Sequence, residues 1–113
     1  MDKRKKYFAC TALISREQIE NIVDSACTVS WCYAERWNAK TFSRDSSRLV
    51  IYEQPDTGKE VKQIVTLQRF VNAIGPLIST HAYTAKGIFD ANHTDGYTFD
   101  SILQFAIFGE LKY

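Results

Sequence analysis

The run of residues 98–113 is the most apolar stretch of the chain, and it constrains the fold more than any other segment. Four of its apolar side chains recur at the spacing of one helix face: Phe99, Ile102, Leu103 and Ala106. Further large side chains lie off that face, so the segment is apolar nearly all round. Such a pattern is typical of a helix that is buried on more than one side. We therefore predict a core helix over Thr98–Phe108.

The ends of this helix follow from residue types. Thr98 is expected to cap its start, with Asp100 in the first turn near the positive end of the helix dipole. Gly109 follows the last apolar residue, at the place where a left-handed residue commonly ends a helix.

Two further helices have recognisable start signals. A helix is predicted over Ser15–Ala26, because its first residue and Gln18 have the spacing of a capping box. Another is predicted over Thr66–Ile74, capped by its first residue and ended or sharply bent by Gly75-Pro76. The following residues, 77–92, are expected to form a short apolar turn and then an irregular loop.

Strand signals lie between these helices. Lys6–Ile14 and Arg48–Glu53 are rich in aromatic, Thr and aliphatic residues, which is typical of strands. The turn chemistry of Pro55–Gly58 predicts a hairpin whose second arm is Glu60–Val65. The sequence thus predicts an α+β fold, a small antiparallel sheet including a hairpin, with about three helices packed on one face.

The aromatic stretch Thr28–Trp37 is read as an extended segment. A strand would put Trp31, Tyr33, Glu35 and Trp37 on one face. A helix stays open as an alternative, because these residues also form i, i+4 pairs. The polar residues 38–47 that follow are expected to form a surface loop.

Composition bounds the class of protein. At 113 residues the chain is long enough for a single globular domain, residues 1–113, with a short basic tail at Lys3–Lys6. The formal net charge of +1 favours neither a nucleic-acid binder with a dominant basic field nor an acidic mimic of nucleic acid.

The cysteines indicate a compartment. Cys10, Cys27 and Cys32 are odd in number, and no secretory signal follows the basic start. We therefore expect free, buried thiols in a reducing cytoplasm, with no metal site, no cofactor and no membrane span.

Acid–base catalysis would draw on a small set of titratable residues. The candidates are His81, His93, Glu35, Asp90, Asp95 and Asp100, and Cys27 or Cys32 could act as a nucleophile beside a histidine. No flanking motif supports any of them, so no catalytic residue is predicted. A small hydrolase-like enzyme that uses His and Asp remains an alternative.

The aromatic stretch and its basic neighbours are the best candidates for an interaction surface. Trp, Tyr and Arg dominate interface energetics, and aromatic rings beside basic residues also stack on single-stranded bases. Completion of the core by some of these rings is the competing interpretation, with Trp31 the better core residue and Trp37 the better surface residue. The predicted partner-binding residues are Trp31, Tyr33, Glu35, Arg36, Trp37, Lys40 and Arg44.

Two stretches resemble small uncharacterised proteins of tailed phages and prophages. They are Ile14–Val23 running into Ser30–Tyr33, and Asp100–Tyr113 with its Phe-Gly-Glu and closing Tyr. In those proteins a strand and a helix precede an aromatic segment, and a final helix ends in a similar motif. This chain departs from them at Cys27–Val29, where they carry Gly-Gly.

The resemblance implies a small accessory protein in the cytoplasm of a bacterial host. Such a protein would bind a host protein or protein complex, for example one of a CRISPR or other defence system, and inhibit it by direct association. A nucleic-acid-binding accessory protein is the alternative function, and a homo-oligomer is a possible assembly.

Overall fold

The computed structural model describes residues 13–25, 30–35, 42, 48–56, 58–82 and 84–113. Their fold is the small α+β arrangement that the sequence predicts. In chain order the elements are helix α1 (Arg16–Asp24), strands β1 (Cys32–Glu35), β2 (Arg48–Glu53) and β3 (Val61–Thr66), and helices α2 (Leu67–Asn72), α3 (Ile74–Thr80) and α4 (Gly96–Phe108). Two short 3-10 helices, Thr84–Ile88 and Ala91–His93, connect α3 to α4.

Within the described part of the chain, the three strands form an antiparallel sheet in the order β1-β2-β3. Strands β2 and β3 are the arms of the predicted hairpin, and the predicted turn Pro55–Gly58 lies in their connection. Strand β1 is the extended segment predicted in the aromatic stretch. Its pairing with β2, Tyr33 opposite Tyr52, excludes the helical alternative for Cys32–Glu35.

The two faces of the sheet differ sharply, because successive side chains of a strand point to opposite sides. The inward face carries buried side chains, namely Cys32, Leu49, Ile51, Glu53 and Val65. The opposite side carries exposed or half-buried ones and is called the outward face: Tyr33, Val50, Tyr52, Lys62 and Ile64.

Helix α1 begins as predicted. The Ser15 hydroxyl accepts the backbone N–H of Gln18 at 3.1 Å, and the Gln18 side-chain oxygen accepts the N–H of Ser15 at 2.8 Å. This reciprocal pair satisfies two backbone donors that have no partner inside the helix. Ile19, Ile22 and Val23 form the predicted buried stripe.

The start of α4 differs from the prediction. Asp95, not Thr98, is the N-cap: its carboxylate accepts the N–H of Thr98 at 3.1 Å, and Thr98 returns a bond to the N–H of Asp95. Asp is a stronger cap than Thr, and the hydroxyl that completes the capping box lies three positions further on, at Thr98. The helix therefore begins at Gly96, which moves Asp100 out of the first turn. The predicted end is confirmed, with Gly109 at φ 72°.

The core forms where α4 packs against the inward face of the sheet and the other helices. Ile102 and Leu103 are fully buried, and the Phe70 ring lies 5.8 Å from that of Phe99. Phe42 is also buried and meets Phe70 edge-on at 5.3 Å. The sequence placed Phe42 in a polar surface loop, so its role in the core was missed.

The chain after α2 is more helical than predicted. Helix α2 ends at Asn72, but Gly75-Pro76 does not stop the chain, which re-enters a helix at Ile74. Pro76 lies in the first turn of α3, where backbone N–H groups have no helical partner, so its missing donor costs nothing. The expected irregular loop over residues 77–92 is therefore wrong for much of its length: α3 continues to Thr80 and the two 3-10 helices follow.

Arg69 ties α2 to both β3 and α4. Its guanidinium donates to the carbonyl of Ile64 at 2.8 Å and to the carbonyl of Ala106 at 2.7 Å. Backbone carbonyls near a helix C-terminus lack helical donors, and basic side chains are suited to satisfy them. The contact fixes the end of α4 beside β3.

Several predictions concern residues outside the described ranges. They are most of the strand Lys6–Ile14, the loop 38–47 apart from Phe42, and the cysteines Cys10 and Cys27.

Candidate interaction surface

The structure describes part of the predicted partner-binding set. Trp31 and Tyr33 lie within the described residues, and the backbone of Glu35 ends β1 opposite Val50. The remaining predicted residues, Arg36, Trp37, Lys40 and Arg44, lie outside the described residues.

Trp31 and Tyr33 do not share a face, contrary to the alternation predicted for a strand. Trp31 is 5% exposed, whereas Tyr33 is 46% exposed. The reason is that β1 begins at Cys32, so Trp31 precedes the strand and is free of its two-residue period. The Trp31 indole N–H donates to Asp100 of α4 at 2.7 Å, which holds the ring in the core. Trp31 is therefore removed from the candidate surface.

Tyr33 is held firmly although it is exposed. Its ring stacks on that of Tyr52, with centroids 5.1 Å apart and planes 23° from parallel. Its hydroxyl donates to Oε1 of Glu60 at 2.8 Å. Because both contacts come from the hairpin, the ring is positioned by the sheet, and little further ordering is needed when a partner binds.

Apolar side chains continue the outward face beside the tyrosine pair. Val50 and Ile64 are directly opposite each other on β2 and β3, and Ile64 is 39% exposed. The charged side chains of Arg48 and Lys62 lie on the same side of the sheet. An apolar and aromatic centre with charged residues at its edge is the usual anatomy of a protein interface.

A second cluster, which the sequence did not predict, lies at the other side of the sheet. The ring of Tyr113 stacks on that of Trp31, and its hydroxyl meets the carboxylate of Glu53. The Gln104 side chain accepts the backbone N–H of Tyr113 at 2.8 Å. Two signals could have revealed it: Glu53 follows Leu49 and Ile51 on the inward side of a strand, and Gln104 is a polar residue inside the most apolar helix.

Burial of Glu53 shapes its acidity. Desolvation raises the pKa of this carboxyl, but hydrogen bonds from Tyr113, Lys112 and Gln63 and the charge of Lys112 outweigh it, so the pKa lies below its ordinary value. The carboxylate is therefore charged at neutral pH and is a strong acceptor for the phenol.

The two histidine candidates for catalysis each have a local partner. His93 Nδ1 lies 2.6 Å from Asp90 Oδ2, and this hydrogen bond is the main reason that the pKa of Asp90 is lowered. Both side chains are nearly half exposed. His81 Nδ1 lies 2.8 Å from the Thr80 hydroxyl, and its ring meets that of Phe105 edge-on.

Cys32 is a poor candidate for a nucleophile. Burial, followed by the charges of Asp100 and Glu53, raises the pKa of its thiol to about 12. The thiol is therefore protonated at neutral pH, whereas the nucleophile is the thiolate. No cluster of three or more His, Cys, Asp or Glu residues suited to a metal ion occurs in the part of the chain that the structure describes.

No family model, curated protein or solved structure matches this chain. Among the described residues, no helix combines the length and the apolar character that crossing a membrane requires.

Proposed function

We propose that the protein is a small binding protein, encoded by a phage or prophage, that inhibits a host protein in the bacterial cytoplasm by direct association. The outward face, which includes Tyr33 on β1, is the docking surface. The observation that carries this proposal is the exposed, preorganised ring of Tyr33 on a two-sided sheet whose inward face is already filled by the core. The phage source and the inhibitory role rest on the resemblance to small phage proteins. Proteins of that kind include inhibitors of host defence systems such as CRISPR.

The physical argument concerns the cost of binding. A tyrosine buries a large area with only two side-chain torsions to order, and here both the stacking on Tyr52 and the bond to Glu60 fix the ring beforehand. Hot-spot residues of this kind cost about 2 kcal/mol or more of binding free energy when truncated. Tyr33 is therefore the residue whose loss should weaken binding most among the described members of the outward face.

The extent of the surface follows from the size of known interfaces. A stable complex buries about 800 Å² on each partner, which is more than a tyrosine and two aliphatic side chains supply. We propose that the chain after β1, with Arg36, Trp37, Lys40 and Arg44, completes the contact area.

The test is capture of the partner from a bacterial host lysate, followed by measurement with the purified partner. The wild-type chain, Tyr33→Ala and the control Tyr97→Ala are compared. Tyr97 is 77% exposed in the first turn of α4, so it matches the change in residue type but not the position. We expect Tyr33→Ala to raise Kd by about 30-fold or more, the equivalent of about 2 kcal/mol, and Tyr97→Ala to leave it unchanged.

Trp37 provides a second arm of this test. Trp37→Ala is expected to weaken binding by about 2 kcal/mol or more with the melting temperature nearly unchanged. If Tyr33→Ala and Trp37→Ala both bind the purified partner as the wild type does, the docking surface lies elsewhere and the proposal fails.

Salt dependence separates the proposal from the nucleic-acid alternative. Binding to nucleic acid releases counterions, so its affinity falls steeply as the salt concentration rises. We expect a shallow dependence, because the centre of the outward face is apolar and aromatic. A steep slope with single-stranded DNA or RNA would favour the alternative function.

A further inference from the structure

Residues 110–113 lie outside any helix or strand, yet Tyr113 occupies a well-formed set of contacts. Its ring stacks on Trp31 with centroids 4.9 Å apart and planes only 6° from parallel. The Phe108 ring flanks both, 5.6 Å from Trp31 and 5.8 Å from Tyr113. The tyrosine thus lies on one aromatic surface and against the side of another, which is the arrangement that aromatic rings prefer.

The polar atoms of Tyr113 are recognised as specifically as its ring. The hydroxyl donates to Glu53 Oε2 at 2.5 Å, and the backbone N–H donates to Gln104 Oε1 at 2.8 Å. Glu53 is 4% and Gln104 2% exposed, so both acceptors are almost entirely withdrawn from water. Buried acceptors of this kind discriminate strongly against a ligand that lacks the matching donor.

The acceptors are themselves held in place. The Gln104 amide donates to Asp100 Oδ2 at 2.9 Å, while Asp100 Oδ1 accepts the Trp31 indole N–H. Gln104, Asp100 and Trp31 therefore form a connected network below the ring of Tyr113. The positions of these three side chains are set by α4 and by the residue that precedes β1.

Lys112 contributes a charge to the same place. Its ammonium lies 3.2 Å from Glu53 Oε2, and it stands 4.8 Å from the centre of the Phe108 ring. A lysine followed by a tyrosine thus presents a cation and a phenol to the same buried carboxylate.

We propose that Trp31, Phe108, Glu53 and Gln104 form a binding site for a tyrosine side chain, which in this structure is filled by the chain's own Tyr113. The ligand class is a peptide segment of a partner protein that contains Lys-Tyr, which enters when the segment 110–113 leaves. The site is separate from the outward face, since Cys32 and Glu53 lie on the inward side of the sheet.

Departure of residues 110–113 would uncover Leu111, which packs against the core, but would leave every described helix and strand in place, because the segment belongs to none of them. Tyr113 is 44% exposed, and α4 ends at Gly109, whose φ of 72° already turns the chain out of the helix. The chain's own segment 110–113 nevertheless competes well with a free peptide, because its short covalent tether gives an effective concentration in the millimolar range. A partner peptide must therefore be abundant or bind through additional contacts.

The experiment measures binding of the synthetic peptide Glu-Leu-Lys-Tyr by isothermal titration calorimetry to the full-length chain carrying Tyr113→Ala. We expect this variant to bind the peptide at least tenfold more tightly than the wild-type chain, whose site is filled. The matched peptide Glu-Leu-Lys-Phe should bind the variant at least tenfold more weakly, because it leaves Glu53 without the phenol donor. Tyr97→Ala serves as the control and should behave like the wild type.

A second variant keeps the test decisive if Tyr113→Ala fails to fold. Tyr113→Phe keeps the ring in place but removes the hydroxyl, so it should hold the site less tightly and bind Glu-Leu-Lys-Tyr better than the wild type does. Equal affinity of the Tyr and Phe peptides for a folded variant, or no gain in affinity from either substitution, would overturn the proposal.

Discussion

Trp31 and Tyr33 are separated by a single residue, and each has a stacked aromatic partner and a hydrogen bond to a carboxylate. Trp31 is nevertheless buried in the core, whereas Tyr33 is exposed on the outward face. Trp31 contacts Asp100 and Tyr113 and is buried between the sheet and α4. Tyr33 contacts Tyr52 and Glu60 within the hairpin and keeps nearly half of its surface exposed. The same kinds of contact therefore build a core in one region and present a ring to solvent in the other. The difference arises because Tyr33 lies on the outward face of β1, whereas Trp31 precedes the strand and its indole N–H reaches Asp100 of α4.

The largest expected effect tests this difference directly. Trp31→Ala should lower the free energy of unfolding by roughly 3–5 kcal/mol, the usual range for a buried Trp, since it also leaves Asp100 without the indole donor. Tyr33→Ala is the matched control and should cost about 1 kcal/mol or less. Urea unfolding monitored by circular dichroism measures the loss of stability in both variants. Equal losses would show that the two regions contribute alike and that Tyr33 belongs to the core.

An aliphatic pair sharpens the same comparison without polar contacts. Leu103→Ala should cost roughly 2–5 kcal/mol, because Leu103 is fully buried in α4. Ile64→Ala, on the outward face at 39% exposure, should cost much less, about 1 kcal/mol. Denaturant melts of the two variants would contradict the fold if Leu103→Ala changed stability by less than Ile64→Ala.

Two glycines extend the comparison of packed and open regions to the backbone. A Cβ at Gly87 would clash with the carbonyl oxygen of His93, so Gly87→Ala should destabilise the fold by roughly 1–3 kcal/mol through overpacking. Apart from its chain neighbours and its own helix backbone, Gly75 in α3 has nothing within 4 Å of the same position. Gly75→Ala should change stability by less than about 1 kcal/mol, because the helix preference of alanine is opposed by the contact of its Cβ with the following Pro76. Thermal melts of both variants check the prediction, and a stable Gly87→Ala chain would show that the turn near His93 is loose.

The last comparison concerns how the contribution of Glu53 to stability changes with pH. Because the pKa of this carboxyl lies below its ordinary value of 4.5, the charged form stabilises the fold above that pH. The contribution is lost as the pH falls through the lowered pKa. Tyr113→Phe removes a bond that lowers the pKa, so the variant should be less stable than the wild type at pH 7, with the difference narrowing below pH 4.5. Melting temperatures measured from pH 7 to pH 3 provide the test, and a difference that widens in acid would reverse the assigned role of Glu53.

The fold could be predicted where the signals are local. The capping box of Ser15 and Gln18, the stripe of Ile19, Ile22 and Val23, and Gly109 at the end of α4 all appear as expected. Caps and periodic stripes depend on residues three or four apart, so the sequence contains all the information that they need.

The candidate site was harder to predict from the sequence, because its contacts join residues that are far apart in the chain. Tyr33 was singled out from its residue type, but its separation from Trp31 depended on where β1 begins. The cluster around Tyr113 was missed altogether. Glu53 and Tyr113 are 60 residues apart, and no local pattern brings a carboxylate and a phenol together over that distance.

By itself, the sequence determined the class of fold, the hairpin, the start of α1 and the end of α4, because short-range hydrogen bonds and the periodicity of apolar residues decide them. Only the tertiary structure decided which aromatic ring is buried, that Phe42 joins the core, and that Glu53 and Gln104 receive Tyr113. These outcomes depend on the packing of elements that are far apart in the chain. A polar or aromatic side chain is buried only where other elements supply its hydrogen-bond partners and packing contacts.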